Sequence, residues 1–437
     1  MNTITIDCGA SFIKGALFSD GKIVDRKDFS TPSESSVNDV FYTDKVESII
    51  TGVKEVVREF LKDEKEINVC ISNEMHGFVL SSDDGTPYTG YVSWQKEYGG
   101  IKIDDLSSVD ILNREEFKSS IEKTGMNIRA GLPSSNLLYL LRSGKLNGRK
   151  QHFYTLGDYI IKRVFGKECD CSESNAAATG LYDLVEKKWN EQLTGLFDDR
   201  LIFPIVGDRV LNIEVEGVKY NVFPAIGDYQ AALLGAGIEK PTDISFNLGT
   251  GAQASIITDS LTFSKDYQIL PFVGGSYLKR IPHLPSGRAL NVYFRFIKNV
   301  LGSFDVDIED KVIWDKFSNS ISQSLPNEMQ CSLSFFENPI ENRTKGKIDN
   351  IGEYDLTFPN LIKLVYDQAA DNFMWAADKI VNPDSVKRII FSGGIARRID
   401  YIREKLIRHY DSGVEVIQNS DETLLGLYKY SLIELEQ

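Results

Sequence analysis

The stretch Phe223-Pro224-Ala225-Ile226-Gly227-Asp228-Tyr229-Gln230-Ala231-Ala232 places a carboxylate where an apolar strand gives way to a helical segment. Asp228 is expected there as a helix N-cap. A carboxylate in that position could also accept a proton from a substrate hydroxyl, while the helix N-terminus favours nearby negative charge. An isolated Gly-Asp is an ordinary cap. What lifts this one is its place between two stretches of like design. TITIDCGASFIKGAL, residues 3–17, and DISFNLGTGAQASI, residues 243–256, both run apolar alternation into an acid or amide, then a small-residue turn, then alternation again. Asp7-Cys8-Gly9-Ala10-Ser11 corresponds to Asn247-Leu248-Gly249-Thr250-Gly251. Such turns present backbone N–H groups outward, and nests of this kind bind anionic oxygens. Two of them facing across a cleft would grip one polyphosphate from both sides.

The elements that must position these residues are visible in the pattern. The first hairpin is followed by a third strand over 21–29 and a polar loop over 31–36. A helix is expected over 44–62, with Val46, Ile49, Ile50, Val53, Val56, Val57, Phe60 and Leu61 on one face. A buried strand follows over 67–72. The later part repeats the order: strands over 244–248 and 252–258, a strand pair around 272–281, a long helix striped by Leu361 to Ile380, and a strand over 388–392 entering Gly393-Gly394. It closes with a strand over 415–417 and an amphipathic helix over 422–435. This order is not the β-α-β start of a dinucleotide fold, and neither G-x-G-x-x-G after Ile6 nor G-x-x-x-x-G-K-[ST] occurs.

Composition narrows the classes. A chain of 437 residues fits two domains, here expected as 1–237 and 238–437, and 42% hydrophobic content supports large cores. A net charge of −14 argues against a nucleic-acid or anionic-membrane surface. No apolar run is long enough to span a bilayer and the N-terminus lacks a signal-peptide pattern, so a cytoplasmic protein is expected. Five scattered cysteines agree; Cys169-Asp170-Cys171 lacks the second pair that a zinc set needs. Asn342-Arg343-Thr344 matches a glycosylation sequon, idle in such a compartment.

Taken together the motifs resemble the FGGY family of carbohydrate kinases, within the sugar kinase/Hsp70/actin superfamily. Asp7-x-Gly9-x-Ser11-x-x-Lys14 is similar to its first phosphate motif, and Asn247-Leu248-Gly249-Thr250-Gly251 to its second. Glu74-Met75-His76-Gly77 resembles the sugar-contacting Q-M-H-G, and Ser93-Trp94-Gln95 the T-W-Q that follows. Gly131-Leu132-Pro133 with Leu137-Leu138 resembles G-x-P-x-x-K-L-L, and Ser174-Asn175-Ala176 with Thr179-Gly180 resembles S-N-A-x-x-T-G. Gly227-Asp228-x-Gln230-Ala231-Ala232 resembles the catalytic G-D-x-Q-A-A, and Ser392-Gly393-Gly394-Ile395-Ala396 the adenosine motif. Tyr277-Leu278 and the run Asn338 to Ile351 look most like sedoheptulokinases.

The resemblance implies an α/β protein of two duplicated actin-like (ribonuclease H-like) domains, each a five-stranded mixed sheet flanked by helices, with a cleft between them. It implies ATP and Mg²⁺ as cofactors, a small sugar such as sedoheptulose or xylulose as acceptor, and a monomer or homodimer. Asp228 would be the base. Glu74, Met75, His76, Trp94, Gln95, Tyr229 and Gln230 would meet the sugar, and Asp7 and Asp228 would serve the metal. Asp7, Gly9, Ser11, Lys14, Gly249, Thr250, Gly251, Gln253, Gly393, Gly394 and Ala396 would meet ATP. The chain departs from the pattern at Ala10 for Thr, Glu74 for Gln, Asn136 for Lys, and Lys96 and Tyr98 for the Asp and Arg after Trp-Gln. Paired with Glu74, Lys96 would keep the pocket suited to a neutral ketose, the favoured acceptor; unpaired, it would suit a modified or acidic sugar; and with the loop turned outward, Lys96 and Tyr98 would both be solvated. The rivals are a non-catalytic actin-like scaffold or sugar sensor, and a phosphatase or phosphotransferase acting on acyl phosphates or polyphosphate. Asp228 speaks against the former, and the sugar-side motifs against the latter.

Overall fold

The computed structural model describes residues 1–9, 12–30, 39–62, 64–146, 150–249, 251–341, 343–410, 413–417 and 422–436. Ala10, Ser11, Thr250, Asn342 and the loop 31–36 lie outside them. The chain divides into two compact units, one of residues 1–235, 260–277 and 420–437, the other of residues 236–259 and 278–419. No helix among the described residues is long and apolar enough to cross a membrane.

In the first unit, β1 (Thr3–Cys8), β2 (Phe12–Ser19) and β3 (Lys22–Ser30) form an antiparallel meander. Helix α1 (Asp44–Leu61) follows and buries the expected stripe from Val46 to Phe60. It lies close on β2 because glycines face it at the contact. A Cβ on Gly15 would stand 2.5 Å from Val56, and one on Gly52 2.7 Å from Ile13. Strand β4 (Glu66–Asn73) then pairs parallel with β1, Cys8 opposite Asn73. Between β4 and the rest of the sheet the chain inserts a long excursion that contains α2 (Pro133–Arg142) and α3 (Glu173–Ala177). It returns through β5 (Leu211–Val215), β6 (Val218–Val222) and β7 (Ile226–Gly227), then enters α4 (Asp228–Ala236).

The sheet order is β5-β6-β4-β1-β2-β3, with β7 also on β4, so seven strands stand where five are expected. The hairpin β5–β6 adds the edge strand. The seventh arises from a slip in pairing. Val222 lies opposite Val69 but Ile226 opposite Ser72, four residues against three, so the chain bulges at Phe223 to Ala225 and resumes beside β4. The helix Glu422–Glu436 belongs to this unit and packs on α4 at backbone distance. A Cβ on Gly426 would come within 1.8 Å of Ala231 O, and one on Gly235 within 1.7 Å of Glu422 O. Backbone meets backbone there, and Lys429 Nζ caps Leu234 O at 3.2 Å while Tyr430 OH reaches Pro224 O at 3.2 Å.

The second unit repeats the plan. Strands β8 (Asp243–Asn247) and β9 (Gln253–Thr258) form its hairpin, and β10 (Tyr277–Ile281) follows. Helices α5 (Gly287–Gly302), α6 (Asp310–Ser320) and α7 (Phe358–Ile380) come before β11 (Arg388–Ser392), α8 (Gly394–Arg398) and β12 (Glu415–Ile417). The sheet has six strands where five are expected; five of them run β10-β9-β8-β11-β12, with β8 parallel to β11 and Asn247 opposite Ser392. The strand pair expected around 272–281 becomes Gln268–Pro271 and Tyr277–Ile281, separated by Gly274 and Gly275, both at positive φ.

Candidate active site

Three parallel strand ends gather the first unit's chemistry. β1 delivers Asp7, β4 delivers Glu74-Met75-His76 just past its end, and β7 delivers Asp228. In open α/β sheets such carboxyl-terminal strand ends are where ligands bind. β1 and β7 flank β4, so the main chains of Asp7 and Gly227 stand about 10 Å apart, two strand spacings.

Asp7 is buried at 6% exposure, with Ser72 Oγ donating to Oδ1 at 3.0 Å and Lys14 Nζ 3.8 Å from Oδ2. Burial raises its pKa, and Lys14 and the Ser72 hydroxyl pull partly the other way. The turn after it is closed by Gly9 N donating to Phe12 O at 3.1 Å, and Glu74 N donates to Cys8 O at 3.1 Å, which ties the β1 and β4 ends together.

Asp228 is the first residue of α4 rather than the residue before it, and its Oδ1 accepts from the next amide, Tyr229 N, at 2.8 Å. Two residues on, the Gln230 side chain is fully buried with neither amide atom hydrogen-bonded. Gly227 leaves the space it occupies: a Cβ there would meet Gln230 Oε1 at 2.4 Å and Met75 Sδ at 2.7 Å. Tyr229 is buried beside it. His76 adopts φ +62°, a conformation uncommon outside glycine, and its Nδ1 lies 2.7 Å from Ala178 O. A carbonyl can only accept, so Nδ1 carries the proton. Glu74 accepts the Tyr91 hydroxyl at 3.2 Å.

The Ser174-Asn175-Ala176 motif braces this arrangement. Asn175 Nδ2 donates to Asn73 Oδ1 at 2.8 Å and to Ala225 O at 2.9 Å, joining the end of β4 to the start of β7. Ser172 Oγ donates to the same carbonyl at 2.6 Å. On the sugar side, Trp94 and Gln95 are exposed, whereas Tyr98 is buried and stacks on Tyr139 with centroids 5.7 Å apart. Tyr98 therefore belongs to the apolar core, and the position where the family pattern has Arg no longer carries a cation.

In the second unit the strand ends again carry the motif. Leu248 N donates to Ser392 O at 2.8 Å and Ile395 N to Leu248 O at 2.9 Å, stitching the turn after β8 to the start of α8. Gly393 sits at φ +89°, and a Cβ would come 2.7 Å from Leu248 O. Gly249, Gly394 and Ile395 line a cavity of about 210 Å³ with Gly287, Asn291, Trp314, Arg398 and Ile399. Trp314 stacks on Phe294 at 4.8 Å, which fixes its ring. Gly287 lets α5 approach, since a Cβ would stand 2.5 Å from Gly249 O. Gly287, Asn291, Trp314 and Arg398 carry no motif in the sequence; only the fold brings them to this cavity. Gly251 is exposed, Gln253 sits opposite Asn247 in the hairpin, and Ala396 is buried in α8.

No group of three or more His, Cys, Asp or Glu side chains gathers as a metal site among the described residues. Cys169 and Cys171 are buried free thiols.

Residues 2–206 match the model of the FGGY family of carbohydrate kinases, N-terminal domain. The chain is 25% identical over 226 residues to a glycerol kinase of Rhizobium meliloti, covering 48% of this chain and 44% of that protein. The matched stretch thus spans less than half the length of that relative. In fold, the chain is similar to a ligand-bound xylulose kinase from Lactobacillus acidophilus, with a TM-score of 0.82 at 18% identity, covering 100% of this chain and 89% of that one. It is likewise similar to Plasmodium falciparum glycerol kinase with ADP, at a TM-score of 0.79 and 14% identity, covering 100% and 90%. That family match covers residues 2–206, just under half of the chain, and the likeness to the solved structures is one of fold.

Proposed function

We propose that the protein transfers the γ-phosphoryl group of ATP to a hydroxyl of a small sugar, with a ketose such as sedoheptulose or xylulose as acceptor. The observation that carries this reading is the convergence of Asp7, Glu74-Met75-His76 and Asp228-Tyr229-Gln230 at three adjacent strand ends. A non-catalytic binder has no need of the carboxylate at the start of α4.

Positioning and charge stabilisation account for most of phosphoryl-transfer catalysis. The acceptor oxygen bonds to phosphorus as the bond to the β-phosphate oxygen breaks, and Asp228 takes the hydroxyl proton. Trp94 offers an apolar face to the sugar's C–H surface, and His76, Gln95 and Gln230 supply hydrogen bonds. Backbone N–H groups of the turn from Gly9 to Ser11, and of the turn from Gly249 to Gly251 with the Thr250 hydroxyl, would hold phosphates. Gly393 and Gly394 let the ribose approach the main chain. Asp7 and Asp228 are the carboxylates that would hold Mg²⁺. The fit is sound: this ion takes oxygen ligands, often one or two carboxylates with water and phosphate, and Asp7 is a buried acid whose charge a cation would compensate. When bound, Mg²⁺ supplies charge neutralisation on the phosphates. Five free, buried cysteines suit a reducing compartment such as the cytoplasm.

The test is ADP release across a panel of ketoses and polyols with Mg²⁺ and ATP. Saturable, acceptor-dependent release with a ketose ranked first is expected. Release with no acceptor above the ATP-only background would overturn the reading.

A further inference from the structure

The segment carrying Trp94 and Gln95 lies backbone to backbone on the turn before α2. Gly99 N donates to Ala130 O at 3.2 Å, and a Cβ on Gly131 would come within 2.1 Å of Trp94 O. The same Cβ would stand 3.4 Å from Nη1 of Arg129, so the Arg129 guanidinium runs alongside the Trp94 main chain. This neighbourhood is tied to the rest of the sugar side. Ser134 N, in the first turn of α2, donates to Thr179 O at 3.0 Å, and the preceding carbonyl, Ala178 O, receives His76 Nδ1.

Among the described residues Arg129 has no hydrogen-bond or ion-pair partner, and its Nε is buried without one. Glu97 reaches it only as a longer-range charge, and burial brings its pKa down to about 10. The side chain is not sealed in, for the residue keeps partial exposure. A guanidinium has five donors and no acceptor, and a half-buried one left unpaired costs stability.

We propose that Arg129 binds the acceptor, donating to the carbonyl oxygen of an open-chain ketose and to the adjacent hydroxyl oxygen. It thereby ranks ketoses above the corresponding polyols. A carbonyl oxygen only accepts, which matches a group that only donates. Reduction to the polyol replaces it with a hydroxyl, which still accepts from Arg129 but brings one more proton that needs an acceptor elsewhere in the site, so the ketose is favoured by degree. The residue thus takes over the role of a cation near Trp94-Gln95 that Tyr98, turned into the core, does not fill. The assignment rests on the kinase reading above and specifies which end of the acceptor is read.

The experiment compares wild type, Arg129→Lys and Arg129→Met on D-xylulose and xylitol. Arg129→Met is expected to raise the KM for the ketose by about tenfold or more, the loss of one charge-assisted contact, with kcat changing less. The KM for xylitol should rise less than about threefold, and Arg129→Lys should fall between wild type and Arg129→Met on the ketose. Without ligand, Arg129→Met should melt at or above the wild-type temperature, whereas a structural arginine would lower it. An unchanged ketose-to-polyol preference, or a destabilised variant that loses both acceptors equally, overturns the proposal. Titration of tryptophan fluorescence with D-xylulose separates this from failure of the kinase reading. If wild type turns over no sugar but binds the ketose, and Arg129→Met does not, Arg129 stands and the kinase reading falls. Absence of ketose binding by wild type overturns both.

Discussion

The Asn136 side chain holds both ends of the turn that follows Trp94: Nδ2 donates to Lys96 O at 2.7 Å and Oδ1 accepts from Gly99 N at 3.0 Å. The family pattern has Lys here, so the substitution exchanges a mobile cation for a fixed amide clamp. Asn136→Ala would leave a main-chain donor and acceptor with one partner fewer beside a fully buried position. The expected cost is about 1–3 kcal/mol in urea unfolding, with a raised acceptor KM as the turn loosens. Wild-type stability and KM would show that the clamp is idle.

Asp228→Asn keeps the shape of the α4 start and the acceptor of the Tyr229 amide while removing the proton acceptor. Turnover should fall by at least ~10²-fold, the scale of a general base, with the melting temperature unchanged. Near-normal turnover of the purified variant would remove Asp228 from the mechanism.

Gly393→Ala tests the nucleotide side. The new Cβ would press on Leu248 O at φ +89° and ψ 164°, a backbone region open essentially to glycine alone that costs an L residue on the order of 1–3 kcal/mol. Calorimetric titration with ADP should show affinity weakened by about tenfold or more, and unchanged affinity would place the ribose elsewhere.

Asp158 gives a pH signature unrelated to catalysis. It is buried, its Oδ2 accepts from Thr155 Oγ1 at 2.7 Å, and burial raises its pKa from 3.8 to about 6. A carboxyl with a raised folded pKa stabilises the fold fully below its unfolded value, and that contribution is lost as pH rises through the folded value. Stability should therefore decline between pH 4 and pH 6 on account of this group. Asp158→Asn should flatten that slope and raise stability at pH 7 by on the order of 2 kcal/mol. Denaturant midpoints measured across the window decide it; parallel pH profiles for variant and wild type would refute the assignment.

What the sequence disclosed and what it withheld divide along a physical line. Both hairpins, the α1 stripe from Val46 to Phe60 and the strand over 388–392 follow from local alternation and helical spacing, which survive folding unchanged. The Gly393 turn was legible because a glycine pair after a strand has few other uses. Asn136 and Arg129 were not, since an amide and a guanidinium are ordinary on any helix or loop until their neighbours are known. Trp314 reaches the cavity beside Gly394 from 80 residues away in the chain, a placement that no local pattern encodes. Tyr98 shows the reverse case. A departure that looked like a change in the pocket is a change in the core.

The glycine contact between α4 and the helix Glu422–Glu436 bears on how the protein comes into being. The carboxylate at residue 228 rests on a helix whose opposite side is covered by a segment roughly 190 residues later in the chain. A nascent polypeptide that has finished the entire sugar-side region must still wait for residues 422–436 to leave the ribosome before that helix has its backing. At typical synthesis rates of about 5–20 residues per second, the delay is roughly 10 to 40 seconds. During it, Ala231 and Gly235 present bare main chain to water and to chaperones. A message truncated after codon 236 and before codon 422 would yield every sugar-side motif and a base without its support.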